Sequence, residues 1–93
     1  MTQRLELGQV VVTRGINEDM KDDIIFRVAV NKALSQYIAC DWGETSEEDK
    51  PLNDWAVDNG ERILAAYETH RGRIWIITEY DRSVTTVLYP GEY

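Results

Sequence analysis

Histidine and cysteine are almost missing from this chain, which has one of each, His70 and Cys40, in 93 residues. A lone cysteine closes no disulfide within the chain, and there is no His/Cys set of the kind that holds zinc. Cys40 ends an apolar-periodic run with no basic neighbour to stabilise a thiolate, so it reads as a small buried hydrophobe. His70 sits in the turn-like stretch ETHRGR, without the nucleophile and orienting group that covalent catalysis needs. No glycine-rich phosphate loop is present. Glu79, Asp81, Arg82 and Ser83 cluster in sequence, but as turn chemistry. The chain is therefore expected not to be an enzyme, and no cofactor or metal is expected.

Long hydrophobic runs are absent too. Nothing approaches the ~18–20 apolar residues of a bilayer span, and no charged-then-apolar leader opens the chain, which points to a cytoplasmic protein with no membrane partner. What is present is an ordinary globular composition, 43% hydrophobic and 29% charged, with three tryptophans. That is enough to bury a core, so residues 1–93 are expected to form a single α+β domain.

Positive charge is nearly absent from one quarter of the chain. Between residues 41 and 61 stand Asp41, Glu44, Glu47, Glu48, Asp49, Asp54, Asp58 and Glu61 against Lys50 alone, which accounts for the whole net charge of −7. The remainder balances nine acids with nine bases. Such a window opposes direct nucleic-acid binding and attracts basic surfaces.

The opening RLELGQVVVTRG alternates as a strand, and INEDMKDD reads as a polar connection with Asp22 or Asp23 placed to cap a helix. IIFRVAVNKALSQYIACDW has helical spacing. Phe26, Val30, Ala33, Leu34, Tyr37 and Ile38 form the apolar face, and Gly43 is expected to mark the end. Thr45–Glu48 and Ser46–Asp49 both fit a capping box. A second helix is predicted from about Pro51 to Tyr67, with Leu52, Trp55, Ala56, Asn59, Gly60, Ile63, Leu64 and Tyr67 on its buried face. RIWIITEY and SVTTVLY are strands joined as an antiparallel hairpin. The order β-α-α-β-β predicts a three-stranded antiparallel sheet packed on one face by two helices. Its open face would carry Trp75, Tyr89 or Val10 and offer a route to a homodimer.

The eight acids admit several readings. Glu47, Glu48 and Asp49 suit a helix N-terminus electrostatically, and the ridge as a whole would keep the protein soluble. As a recognition surface, the same eight residues would bind a basic, nucleic-acid-binding protein, with Trp42 and Trp55 the nearest aromatics and Trp55 expected mostly in the core. A metal-dependent enzyme or accessory domain built on the 41–49 carboxylates is an alternative, although their spacing matches no calcium loop. A self-associating structural module is another.

The segments LGQVVVTRGIN, CDWGETSEEDKPLND, NGERILAAY and IWIITEYDRSVTTVLYPGEY, together covering most of the chain, resemble a family of short bacterial proteins. Its members lie on plasmids, phages and integrated elements, mostly in gut Firmicutes, and are labelled "plasmid-related protein" or type I restriction endonuclease subunit M. The second label is not expected to describe catalysis, since there is no methyltransferase-sized domain or cofactor motif. The resemblance implies a mobile-element setting. There, small acidic proteins often inhibit host defence as anti-restriction or anti-CRISPR proteins, some by imitating DNA, so the implied partner is a host nucleic-acid-binding or defence protein.

Overall fold

The computed structural model describes residues 5–93; Met1 to Arg4 lie outside the described residues, Arg4 of the expected first strand among them. The strand itself is Gln9–Val12 (β1). Two helices follow, Arg14–Asp22 (α1) and Ile24–Ile38 (α2). The polar-looking INEDMKDD is thus helical, and the apolar pair Ile16 and Met20, four residues apart on one face, is why. Ile16 is fully buried and Met20 packs against the core. Asp23 separates the two helices in extended conformation (φ −137°, ψ 101°) and caps the second, its carboxylate accepting from the Phe26 N–H at 3.0 Å.

The end of α2 departs from expectation in its details. Ala39 is the cap residue and Cys40 takes the left-handed position, φ +61°, while Asp41 N–H donates to Gln36 C=O and Cys40 N–H to Tyr37 C=O. That is a Schellman ending with a cysteine where glycine is usual. Gly43 has a different task. A Cβ there would lie 2.4 Å from the Tyr67 ring, and Gly43 bridges in parallel to Ala66.

The third helix runs only from Asp49 to Asn59 (α3). Gly60, at φ +66°, turns the chain out of the helix, and Ile63–Thr69 (β2) is a strand, not a continuation. Strands Gly72–Thr78 (β3) and Val84–Leu88 (β4) complete the sheet, and a 3-10 turn, Pro90–Glu92, closes the chain. The α+β class holds. The sheet, however, is four-stranded and mixed, in the order β1-β4-β3-β2, with β1 parallel to β4 and the other pairs antiparallel. It is not the three-stranded antiparallel sheet with two helices. ILAAY suits a helix as well as a strand because both faces of β2 are largely covered, giving a near-continuous apolar run that fits either period.

The core lies between one sheet face and the three helices. Ile63, Ala65, Tyr67, Ile74, Ile76 and Val87 meet Ile16 of α1, Phe26, Val30, Ala33 and Tyr37 of α2, and Ala56 of α3. Through it runs a chain of buried hydroxyls. Tyr37 donates to Thr78 (2.7 Å), Thr78 and Thr85 are 2.7 Å apart, and Thr85 donates to the Leu7 carbonyl (2.7 Å). Because Thr85 gives its one hydrogen to Leu7, Thr78 is the donor to Thr85. Burial pushes the Tyr37 phenol well above its ordinary range. Among the described residues no helix is long and apolar enough to cross a membrane.

Candidate functional site

The acidic stretch wraps from the end of α2 to the end of α3, and the structure sorts its eight carboxylates by what they touch. Asp41 closes its own turn, accepting from Gln36 Nε2 (3.1 Å) and from the Gly43 N–H (3.1 Å). Those two bonds hold its carboxyl below the usual range. Asp54 accepts the indole N–H of Trp42 at 2.8 Å. Trp42 is only 3% exposed and stands edge-on to Tyr37 at 5.5 Å, so it is a core residue and not an anchor for a partner. Glu47 takes Lys50 (2.9 Å), raising the lysine's pKa, with Glu44 and Asp41 close enough to add to that effect. Burial, with Asp54 and Asp58 nearby, pushes the Cys40 thiol up, the reverse of what a reactive thiolate needs.

All eight acids are exposed. Asp41 and Asp54 also carry local structure, so only part of the ridge is spare charge. Ser46, not Thr45, serves the start of α3: its hydroxyl accepts from Asp49 N–H at 3.2 Å. Thr45 is instead tied to β2, donating to the Trp42 carbonyl and accepting from Ala66 N–H. That bond and Glu44 N–H to Ala66 C=O (2.8 Å) pin the acidic loop along the outer edge of the sheet. Among the described residues no three His, Cys, Asp or Glu side chains are grouped to hold a metal ion, so the 41–49 carboxylates spread over the surface instead of converging.

The buried stripe of α3 is Asn53 and Ala56, with Val57 partly covered. Asn53 is buried because its amide donates to Leu64 C=O at 2.9 Å. This rotates Leu52 and Trp55 outward, to 61% and 55% exposure, contrary to the expectation that both face the core. They are three residues apart on one side of the helix, with Asp54 and Asp58 in the same helix and Glu48 just before it. Extending the helix to Tyr67 phased the apolar stripe wrongly; a helix stopped at Gly60 leaves Asn53 and Ala56 as an inward pair.

The outer sheet face is not the open apolar surface expected for a homodimer. Tyr89 leaves it, stacks on Phe26 at 6.0 Å and donates to Asp19. Val10 shares the core-side alternation of Val12 and lies exposed at the β1 edge. Trp75 does face outward, but Tyr93 packs edge-on against it at 5.8 Å, with Arg62 over the Tyr93 ring. The chain's own tail thus covers part of that face.

One cluster has no local signature in the sequence. Asp23 accepts from His70 Nε2 (2.7 Å) and Arg71 Nε (2.8 Å), and Arg71 also pairs with Asp19 at 3.4 Å. His70 and Arg71 come from the β2–β3 turn, so only the tertiary fold brings them to the α1–α2 junction. The groove beside it, about 440 Å³ and bordered by Lys32, Gln36, Glu44 and His70, contains no nucleophile held by a base. Comparison with protein-family models, curated proteins and solved structures matches none of them.

Proposed function

We propose that this chain is a non-enzymatic binding protein that docks the acidic face of residues 41–61 on a basic, nucleic-acid-binding surface of a protein partner. The observation that carries this reading is the exposure of Leu52 and Trp55 amid carboxylates that are themselves all exposed. Solubility does not call for an outward tryptophan, whereas binding hot spots favour tryptophan ringed by polar residues. The acids steer the encounter, and the Leu52–Trp55 pair supplies apolar contact that charge alone lacks. The resemblance to mobile-element proteins adds the setting. The partner is then a defence protein, and the chain is an inhibitor of the anti-restriction or anti-CRISPR type. With DNA carrying about one charge per 1.7 Å, eight carboxylates imitate it only in part.

The test separates spare charge from structural charge. A variant with Glu44→Lys, Glu48→Lys and Glu61→Lys leaves Asp41 and Asp54 in place, and a second variant carries Trp55→Ala. Native protein is expected to capture a nucleic-acid-binding protein from bacterial lysate, and to release it to high salt and to added duplex DNA. Both variants are expected to capture it at least about tenfold less well. Equal capture by native protein and both variants would sink the reading.

A further inference from the structure

Helix α2 carries a second exposed apolar face that neither the core nor the acidic ridge uses. Ile24, Ile25 and Val28 are 68%, 68% and 62% exposed, although the same helix fully buries Phe26, Val30 and Tyr37. Single exposed aliphatics are ordinary, but three in five positions form a contiguous patch. Its charge is the opposite of that around Leu52 and Trp55. Residues 24–40 contain Arg27 and Lys32 and no acid; of the two acids just ahead of them, Lys21 offsets Asp22 and Arg71 pairs with Asp23. Arg27 is held at the patch, its Nε donating to Met20 C=O at 3.1 Å. The molecule thus presents an apolar pair rimmed with acids on α3 and an apolar trio rimmed with bases on α2.

The helices that carry the two faces are tied to opposite ends of the sheet. The start of α2 is tied to the β2–β3 turn through Asp23 with His70 and Arg71. The end of α3 is tied to the β3–β4 turn, where Arg82 Nη2 donates to Ala56 C=O at 2.9 Å. Seven residues of β3 separate those turns, roughly 23 Å of strand. One copy therefore does not pair its own two faces, while a second copy can receive either.

We propose that the chain associates with itself head to tail, the Leu52–Trp55 face of α3 docking on the Ile24–Ile25–Val28 face of α2 in a second copy. Like-with-like pairing is disfavoured, because α3 on α3 brings two acidic windows together and α2 on α2 brings two basic helices together. The contact is heterologous, so each added copy leaves one free face of each kind. This inference does not rest on the partner-binding reading, and it is tested on purified protein alone.

The experiment is sedimentation equilibrium over a wide concentration range, up to millimolar, on native protein, on Trp55→Glu, on Val28→Glu and on an equimolar mixture of the two variants. Both positions are exposed, so each variant should keep its fold, which unchanged circular dichroism verifies. Native protein is expected to rise above the monomer mass with concentration. Each variant alone is expected to associate at least about tenfold more weakly. The mixture is expected to recover association but to stop at the dimer, because one intact α3 face meets one intact α2 face and nothing remains to extend. A native protein that stays monomeric overturns the proposal and leaves the α2 patch to another occupant. So does either variant alone associating like the native chain, since that marks a like-with-like contact, and so does a mixture that fails to recover.

Discussion

Asp54 illustrates how one carboxylate carries two roles. From sequence it is one acid among eight, yet its Oδ1 is the acceptor for the indole N–H of a tryptophan sealed in the core. Removing the acceptor leaves that donor without its partner, at about 1–3 kcal/mol. Asp54→Ala is accordingly expected to lower the chemical-denaturation midpoint, whereas Asp54→Asn, which keeps an oxygen in place, should recover most of the loss. A large effect from both would mean that the charge matters and the hydrogen bond does not. The same logic explains why the ridge was only partly legible in the sequence. The positions of the acids were plain, but which of them were already engaged depended on Trp42 and Gln36 reaching them from elsewhere.

Among the elements, α3 and the β3–β4 turn depend on each other through Arg82. Its guanidinium donates from Nη1 to Glu61 C=O (2.8 Å) and Glu79 C=O (3.1 Å), and from Nη2 to Ala56 C=O (2.9 Å). These carbonyls belong to the last turn of the helix, the segment leaving it and the hairpin, so one side chain staples three pieces of backbone. Arg82 also sits at φ +59°, a conformation that costs a residue with a Cβ about 1 kcal/mol and is tolerated here because the fork is satisfied. Arg82→Ala is expected to destabilise by about 2 kcal/mol, and Arg82→Lys to rescue little, since an ammonium lacks the two-pronged reach. A lysine variant as stable as native protein would show that charge alone suffices. In the sequence Arg82 belonged to a recognisable turn, and Asp81 does accept from Ser83 N–H and Oγ as turn residues do. Its service to α3 was invisible, because Ala56 lies 26 positions away. Gly60 carries a related ambiguity. A glycine in an apolar stripe looks like a packing contact until its positive φ shows that it ends the helix.

For the molecule as a whole, the junction of α1 and α2, the β2–β3 turn and the C-terminal segment meet at Asp19, Asp23, His70, Arg71 and Tyr89. Hydrogen bonds from Arg71 and His70, with the Phe26 N–H, hold the Asp23 carboxyl far below its ordinary value of 3.8. The folded state therefore binds that proton less readily than the unfolded chain. The resulting stabilisation is fully present above the ordinary carboxylate range and is lost as pH falls below about 4 toward the depressed folded value. Asp23→Asn keeps an acceptor for the α2 cap but removes the charge. Its stability is expected to fall less steeply than that of native protein between neutral pH and pH ~3, as followed by denaturation at each pH. Parallel curves would show that Asp23 does not drive acid unfolding. At the far end of the chain, Glu92 accepts from Thr13 Oγ1 and from the N–H groups of Gly15 and Tyr89, clipping the tail to the start of α1.

The sequence by itself determined the α+β class, the inner face of α2, the β3–β4 hairpin and the concentration of charge in residues 41–61. Each of these is written in local periodicity, turn chemistry or plain composition. Tertiary structure alone decided that β1 lies parallel to β4, that ILAAY is a strand, that Leu52 and Trp55 face water and that His70 and Arg71 reach Asp23. In each case the deciding contact joins residues far apart in sequence. An apolar run covered on both sides, or a helix whose inward residues are an asparagine and an alanine, has no local signature that distinguishes it from its alternative.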